Sequence, residues 1–322
     1  MSMHTREYEE HGFDAMGTQI HFWIDRAARS RAGAAFRTGE TFMRDFDRRL
    51  SRFIPESELC ALNAAETETV EVSTLMVRLV EAALEAARVS DGIVDPTLVT
   101  QLEDAGYRSS RAGQPADSIR DALARRAAPV PAAASPQSRW REISVDGNAR
   151  TVTRPVGVRI DSGGSGKGLA ADMLAALWSQ LLPTGTAFIV DCGGDMRLGE
   201  LAGSDDPYEI RVDSRPALAE QLTLELRGGG VATSGIGSRL WGTDEGWAHH
   251  LIDPATGRPA WTGVASATAT GPTALAAETT AKIALLRGMR AGDLPGLSGL
   301  QVTVGFDGAV ERRDGVREVA AA

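Results

Sequence analysis

The stretch Asp161-Ser162-Gly163-Gly164-Ser165-Gly166-Lys167-Gly168-Leu169-Ala170-Ala171-Asp172 constrains this chain more than any other. A strand-like run at 156–160 leads into it, and an Ala-, Leu- and Met-rich helix over about 168–182 leads out. Glycines beside a lysine at a helix start let an anion approach bare backbone N–H groups. The helix N-terminus adds partial positive charge and Lys167 a full one. The pattern therefore predicts a diphosphate cradle. It is not a P-loop, because Asp161 and Gly168 stand where that motif needs glycine and a hydroxyl residue. It also misses the dinucleotide spacing, since Leu169 takes the place of the last glycine. The plain alternative is a glycine-rich turn that only joins strand to helix.

The 322 residues suffice for a large core and one or two domains. A net charge of -9 argues against a general binder of nucleic acid or anionic membrane, so an anionic ligand has to be held by local positive groups. The two cysteines, Cys60 and Cys192, form no disulfide framework and suit a reducing compartment. Residues 1–10 lack the apolar core of a signal peptide, and no apolar run is long enough to span a bilayer. The expectation is a cytoplasmic protein.

Along the chain, 18–25 alternates as a half-buried strand, with Gly17 as a bend and Met16 placed to lie over a flat ligand or in the core. Helical spacing covers 30–50 and 73–89, and a helix start follows Pro55. Pro96 forces Asp95 out of the helical region, where its carboxylate either caps the next turn or meets a ligand. Residues 109–137, rich in Ala, Arg and Pro, read as an exposed, mobile excursion with a short helix near 119–126. A hairpin follows at 140–152. Strands are expected at 186–191, 208–213, 222–226, 264–271 and 301–306, and a helix at 272–288. The expected domain is 13–306, with tails at 1–12 and 307–322.

Three further places carry candidate chemistry. Gly193-Gly194 at a strand end permits close backbone approach. Thr233-Ser234-Gly235 offers hydroxyls, or forms a capped turn. His250, beside His249, has Asp253 three residues on as a possible orienting partner. Glu278 and Lys282, four apart on one helix face, read by default as a surface ion pair.

Taken together, Met16-Gly17-Thr18, 51–63, 92–97, 161–172, Gly193-Gly194-Asp195, Thr233-Ser234-Gly235 and 250–259 resemble the ApbE-type FAD:protein FMN transferases, in the family's order. The resemblance implies an α+β fold of mixed or antiparallel sheets with flanking helices, of T-fold-like architecture. It implies FAD bound across the cradle and transfer of FMN to a threonine hydroxyl of an acceptor protein, with release of AMP. FAD storage, or hydrolysis of FAD to FMN and AMP, are the alternatives. In this resemblance Lys167, His250 and Asp253 are catalytic, and Met16, Asp95, Gly164, Gly194, Thr233 and Ser234 bind the flavin nucleotide with Lys167, His250 and Lys282. Family members bridge the diphosphate with Mg2+, and the carry-over makes Gly166 and Glu278 metal ligands. Lys282, however, stands where the family has a threonine ligand, and an ammonium cannot coordinate a metal. Two explanations are then open: Lys282 directs its charge at the diphosphate, or the site is degraded and the protein binds flavin without transferring it.

Overall fold

Strands β1 (Tyr8–Ala15) and β2 (Thr18–Asp25) pair antiparallel along their whole length. The turn between them places Met16 and Gly17 at φ 54° and 70°, the left-handed pair that matches strand twist in a tight hairpin. The computed structural model describes residues 6–111, 113, 117, 119–124, 128–201, 206–212, 222–244, 246–288 and 299–314. Charged residues at 7, 9 and 10 disguise the first half of β1, so strand begins inside the expected N-terminal tail.

Helix α1 (Arg29–Leu50) lays Ala35, Met43, Phe46 and Leu50 against this hairpin. Ser57 caps α2 (Glu58–Ala64), its hydroxyl accepting the Cys60 N–H at 3.0 Å. After β3 (Thr69–Glu71), Ser73 caps α3 (Thr74–Val89) in the same way. Short helices α4 (Val99–Asp104) and α5 (Ile119–Ala124) precede β4 (Ser144–Asp146) and β5 (Thr151–Thr153), which join β3 in a small sheet. Helix α6 (Gly166–Leu181) is buried along most of its length and leads to β6 (Phe188–Cys192) and β7 (Asp195–Leu198). The hairpin of β8 (Tyr208–Val212) and β9 (Leu222–Leu226) is followed by β10 (Gly229–Gly235). Two small hairpins come next, β11 (Leu240–Thr243) with β12 (Gly246–His249) and β13 (Ile252–Asp253) with β14 (Arg258–Pro259). Then β15 (Val264–Gly271), α7 (Ala274–Arg287), β16 (Leu300–Gly305) and β17 (Val310–Asp314) are the last elements among the described residues.

Among the described residues the main sheet runs β1-β2-β6-β7-β10-β15-β16-β17, and each neighbouring pair is antiparallel. Helices α6 and α7 pack on each other and on this sheet, with Trp178 of α6 seated against Phe22 and Phe188. This is the expected α+β architecture.

Four expectations change. Residues 156–160 form no strand: Gly157 (φ 86°) turns the chain, and Ile160 pairs its N–H and C=O with the Asn63 side chain at 2.7 and 2.8 Å. A side-chain amide thus does the work of a neighbouring strand. The proline-rich stretch is exposed, as expected, but it is tied to the fold rather than a free excursion. Val130, Ala132 and Ala133 donate their N–H groups to Trp261 O, Leu286 O and the Asp253 carboxylate, and Ala132 is buried; residues 112, 114–116, 118 and 125–127 lie outside the described residues. Thr233-Ser234-Gly235 lies in the central strand β10, which begins at Gly229 and Gly230, rather than in a capped turn. A Cβ at 230 would lie 2.3 Å from Thr273 O, so the glycine lets α7 start directly against β10. Finally, β17 lies within the expected C-terminal tail. No helix among the described residues is long and apolar enough to cross a membrane.

Candidate active site

The cradle is built by carboxylates that satisfy helix starts. Asp161 accepts the Gly163 N–H at 3.0 Å, and Ser162 O accepts the Gly166 N–H at 2.7 Å, which turns the chain into α6. Asp172 of α6 accepts the first two N–H groups of α7, from Ala274 and Leu275, at 2.8 and 3.0 Å. Glu278 of α7 returns the contact, accepting the Gly168 N–H in the first turn of α6 at 2.9 Å. Unsatisfied N–H groups at helix N-termini favour anionic partners, and here each helix supplies one for the other.

A row of alternating charges crosses this seam. Lys167 is hydrogen-bonded to Asp195, and Lys282 Nζ lies 2.7 Å from Glu278 Oε1. Burial opposes the Lys167 charge, but the Asp195 and Glu278 carboxylates outweigh it and raise its pKa. Burial raises the Glu278 pKa, against the pull of both lysines. The Glu278–Lys282 pair is therefore buried rather than on the surface: Glu278 is fully enclosed and Lys282 is 8% exposed.

Both lysines line one cleft of about 1880 Å³. Gly164, Gly166, Gly194 and Asp95 lie along it with them, and so do Met16, Thr233, Ser234 and His250. The structure thus gathers nearly all the residues singled out in the sequence. Met16 is held in the hairpin turn by Asp47, which accepts its N–H at 2.9 Å. The Gly194 N–H goes to Asp191 Oδ1 at 2.6 Å, and Thr233 Oγ1 shares a hydrogen bond with Thr268. Asp95 takes the Thr97 N–H and hydroxyl, a local cap, while burial raises its pKa.

Glu278, enclosed in the α6–α7 seam, does not itself line the cleft. Asp253 is the other exception. Its carboxylate accepts from Ala133 N, Ala255 N and Thr256 Oγ1, which stitches its own turn to the proline-rich stretch, and it does not line the cleft. It does not orient His250. Burial, then His249 and the cations Arg239, Lys282 and Lys167, push the His250 pKa well down, so the imidazole is neutral at neutral pH.

The sequence reading missed Arg52 and Arg239. Arg52 stacks over Phe53 and Tyr107, holds Asp161 at 3.0 Å and donates to Tyr107 O, fixing one wall of the cleft. Arg239 donates to Gly17 O at 3.0 Å and pins the hairpin turn. Arg52 stood inside a motif already noted; nothing in its own loop marks Arg239. Ser165 Oγ, Asp195 Oδ1 and His250 Nδ1 are buried with no hydrogen-bond partner among the described residues, and all three residues line the cleft. Buried polar atoms left unpaired in one place mark a ligand site.

Comparison with known proteins bears on what that ligand is. The sequence profile of the ApbE family matches residues 16–294. The chain belongs to the ApbE family. The FAD:protein FMN transferase of Klebsiella pneumoniae is 29% identical over 72% of this chain, and that of Treponema pallidum is 30% identical over 67%. The matched stretches span 65% and 61% of those relatives' own lengths. The crystal structure of the ApbE protein of Thermotoga maritima superposes with a TM-score of 0.75 at 26% identity, covering 95% of this chain and 97% of that one. The flavinyl transferase ApbE of Pseudomonas stutzeri, at 20% identity and a TM-score of 0.72, shares the fold.

Within this ApbE fold, the donor set does not fit a divalent metal. Both Glu278 oxygens are taken, one by the Gly168 N–H and one by the Lys282 ammonium. The Lys282 ammonium has no lone pair to offer. Among the described residues no group of three or more His, Cys, Asp or Glu side chains is placed to hold a metal ion.

Proposed function

We propose that this protein transfers the FMN moiety of FAD to a threonine hydroxyl of an acceptor protein and releases AMP. The observation that carries the reading is the convergence of Lys167, Lys282 and the amide-rich start of α6 on one cleft. That cleft exceeds the ~300–1,000 Å³ usual for a single small ligand, which suits a dinucleotide together with an acceptor segment.

In this reading the lysines and the glycine N–H groups hold the diphosphate and stabilise charge as it develops. The acceptor oxygen forms a bond to the FMN-side phosphorus while the bond from that phosphorus to the bridging oxygen breaks. AMP leaves with the electron pair. The hydroxyl proton goes to the neutral His250 imidazole, which acts as general base. Three of the groups that depress the His250 pKa are cations, and a bound diphosphate opposes each of them. Met16, Asp95, Gly194, Thr233 and Ser234 flank the nucleotide, and no step is routed through a metal. A single domain over 13–306, extended by the edge strands, carries the reaction. Cys60 and Cys192 are free, which suits a reducing compartment such as the cytoplasm.

The test is to incubate the protein with FAD and a threonine-bearing acceptor peptide, then follow covalent flavin and AMP by chromatography. Labelled peptide with one AMP per flavin is the expected result. AMP without label indicates hydrolysis, retained FAD without AMP indicates storage, and no FAD binding overturns the reading.

A further inference from the structure

We propose that Lys282 is a built-in cation that takes the place of a divalent metal at the diphosphate, so that nucleotide binding and transfer proceed without one. The inference rests on the flavin-nucleotide reading of the cleft.

The Lys282 ammonium sits at the cleft wall, nine-tenths buried, and spends one donor on Glu278 Oε1 at 2.7 Å. Two donors remain for a ligand. Glu278 is a positioning residue: its second oxygen is tied to the Gly168 N–H, so its carboxylate cannot swing to a metal without freeing both partners. A divalent ion brought to this carboxylate meets a fixed positive charge in a low-dielectric seam, where like charges repel strongly. Asp195, Lys167, Glu278 and Lys282 alternate in sign, so the unliganded seam already balances its own charge. An incoming diphosphate then finds two ammonium groups, on α6 and α7, and the unpartnered Ser165 hydroxyl lines the same cleft. Lysine supplies a compact point charge suited to phosphate oxygens.

The experiment measures FAD affinity of the full chain by flavin fluorescence, in EDTA and in millimolar Mg2+, together with Mn2+ binding by electron paramagnetic resonance in the presence of FAD. The wild type is expected to bind FAD equally under both conditions, within twofold, to label the acceptor in EDTA, and to bind no Mn2+ beyond what free FAD holds. Lys282→Gln is expected to weaken FAD roughly 10- to 100-fold, the loss of one charge-assisted contact, with no rescue by Mg2+. Lys282→Thr is expected to show the same loss in EDTA and to recover in Mg2+. The wild-type measurements stand even if a variant fails to fold. FAD binding or transfer by the wild type that needs Mg2+, or one tightly held Mn2+ per chain, overturns the inference alone. Absence of FAD binding under every condition overturns the flavin reading with it.

Discussion

Gly168 donates its backbone N–H to the Glu278 carboxylate at 2.9 Å, across a seam with no room for a side chain at position 168. A Cβ there would lie 2.7 Å from Leu275 Cα and 2.8 Å from Glu278 Oε2. Gly168→Ala is therefore expected to push α6 from α7. Overpacking costs about 1–3 kcal/mol, and the better helix propensity of alanine returns up to about 1. A lower urea midpoint together with weakened FAD binding is the expected pair of results. An unchanged midpoint would mean that the seam has slack.

Glu278→Gln leaves Lys282 buried without its counter-charge. Removing one partner of such a pair costs about 3–5 kcal/mol. Adding Lys282→Met to that variant should return much of the lost stability, because no charge is then left stranded. A double-mutant cycle in urea reads this directly, and additive losses would refute the pairing.

His249 is fully buried, and burial pushes its pKa from 6.5 down to about 3. Above pH 6.5 neither the folded nor the unfolded state binds the proton, so the full stability is present. Between pH 6.5 and about 3 the unfolded chain takes up a proton that the native ring refuses, and stability falls with pH. One such group contributes about 1.4 kcal/mol per pH unit. The His250 pKa is lowered in the same direction, so two rings share the slope. His249→Phe should make a plot of Tm against pH shallower between pH 6.5 and about 3; a full slope in the variant would assign acid unfolding to other groups.

Asp253 and His250 should separate cleanly. Asp253→Ala loses the turn contacts to Ala133, Ala255 and Thr256 and should cost about 1–3 kcal/mol, with FAD affinity unchanged within twofold. His250→Ala should keep FAD binding and slow transfer by about 100-fold or more, the usual contribution of a general base. Equal loss of transfer in both variants at matched stability would restore Asp253 to the mechanism.

Arg52→Lys keeps the charge near Asp161 but gives up the stacked plane between Phe53 and Tyr107 and the fork that also reaches Tyr107 O. These are not interchangeable side chains. FAD affinity should fall about tenfold. Wild-type affinity in Arg52→Lys would show that the stack does not shape the cleft.

Much of this protein was legible in its sequence, where the signal is local. Helical spacing marked α1 and α3, Ser57 and Ser73 announced helix starts, and the run of small residues and threonines at 264–271 matched β15 residue for residue. The glycine-lysine cradle stood out because backbone access and helix-start charge are written in consecutive residues. Order among the motifs carried the family resemblance.

Charge hid the start of β1, and valines in 156–160 imitated a strand that the Asn63 side chain replaces. The proline-rich stretch looked unanchored because its partners, Trp261, Leu286 and Asp253, lie more than a hundred residues away. Adjacent pairs and helix registers, then, were set by sequence alone. What only the tertiary structure decided was the state of the charges. Glu278 and Lys282 have one spacing whether on a surface or in a core. It is the packing of α7 against α6 and β10 that takes them out of water and turns a weak ion pair into a buried, fixed one.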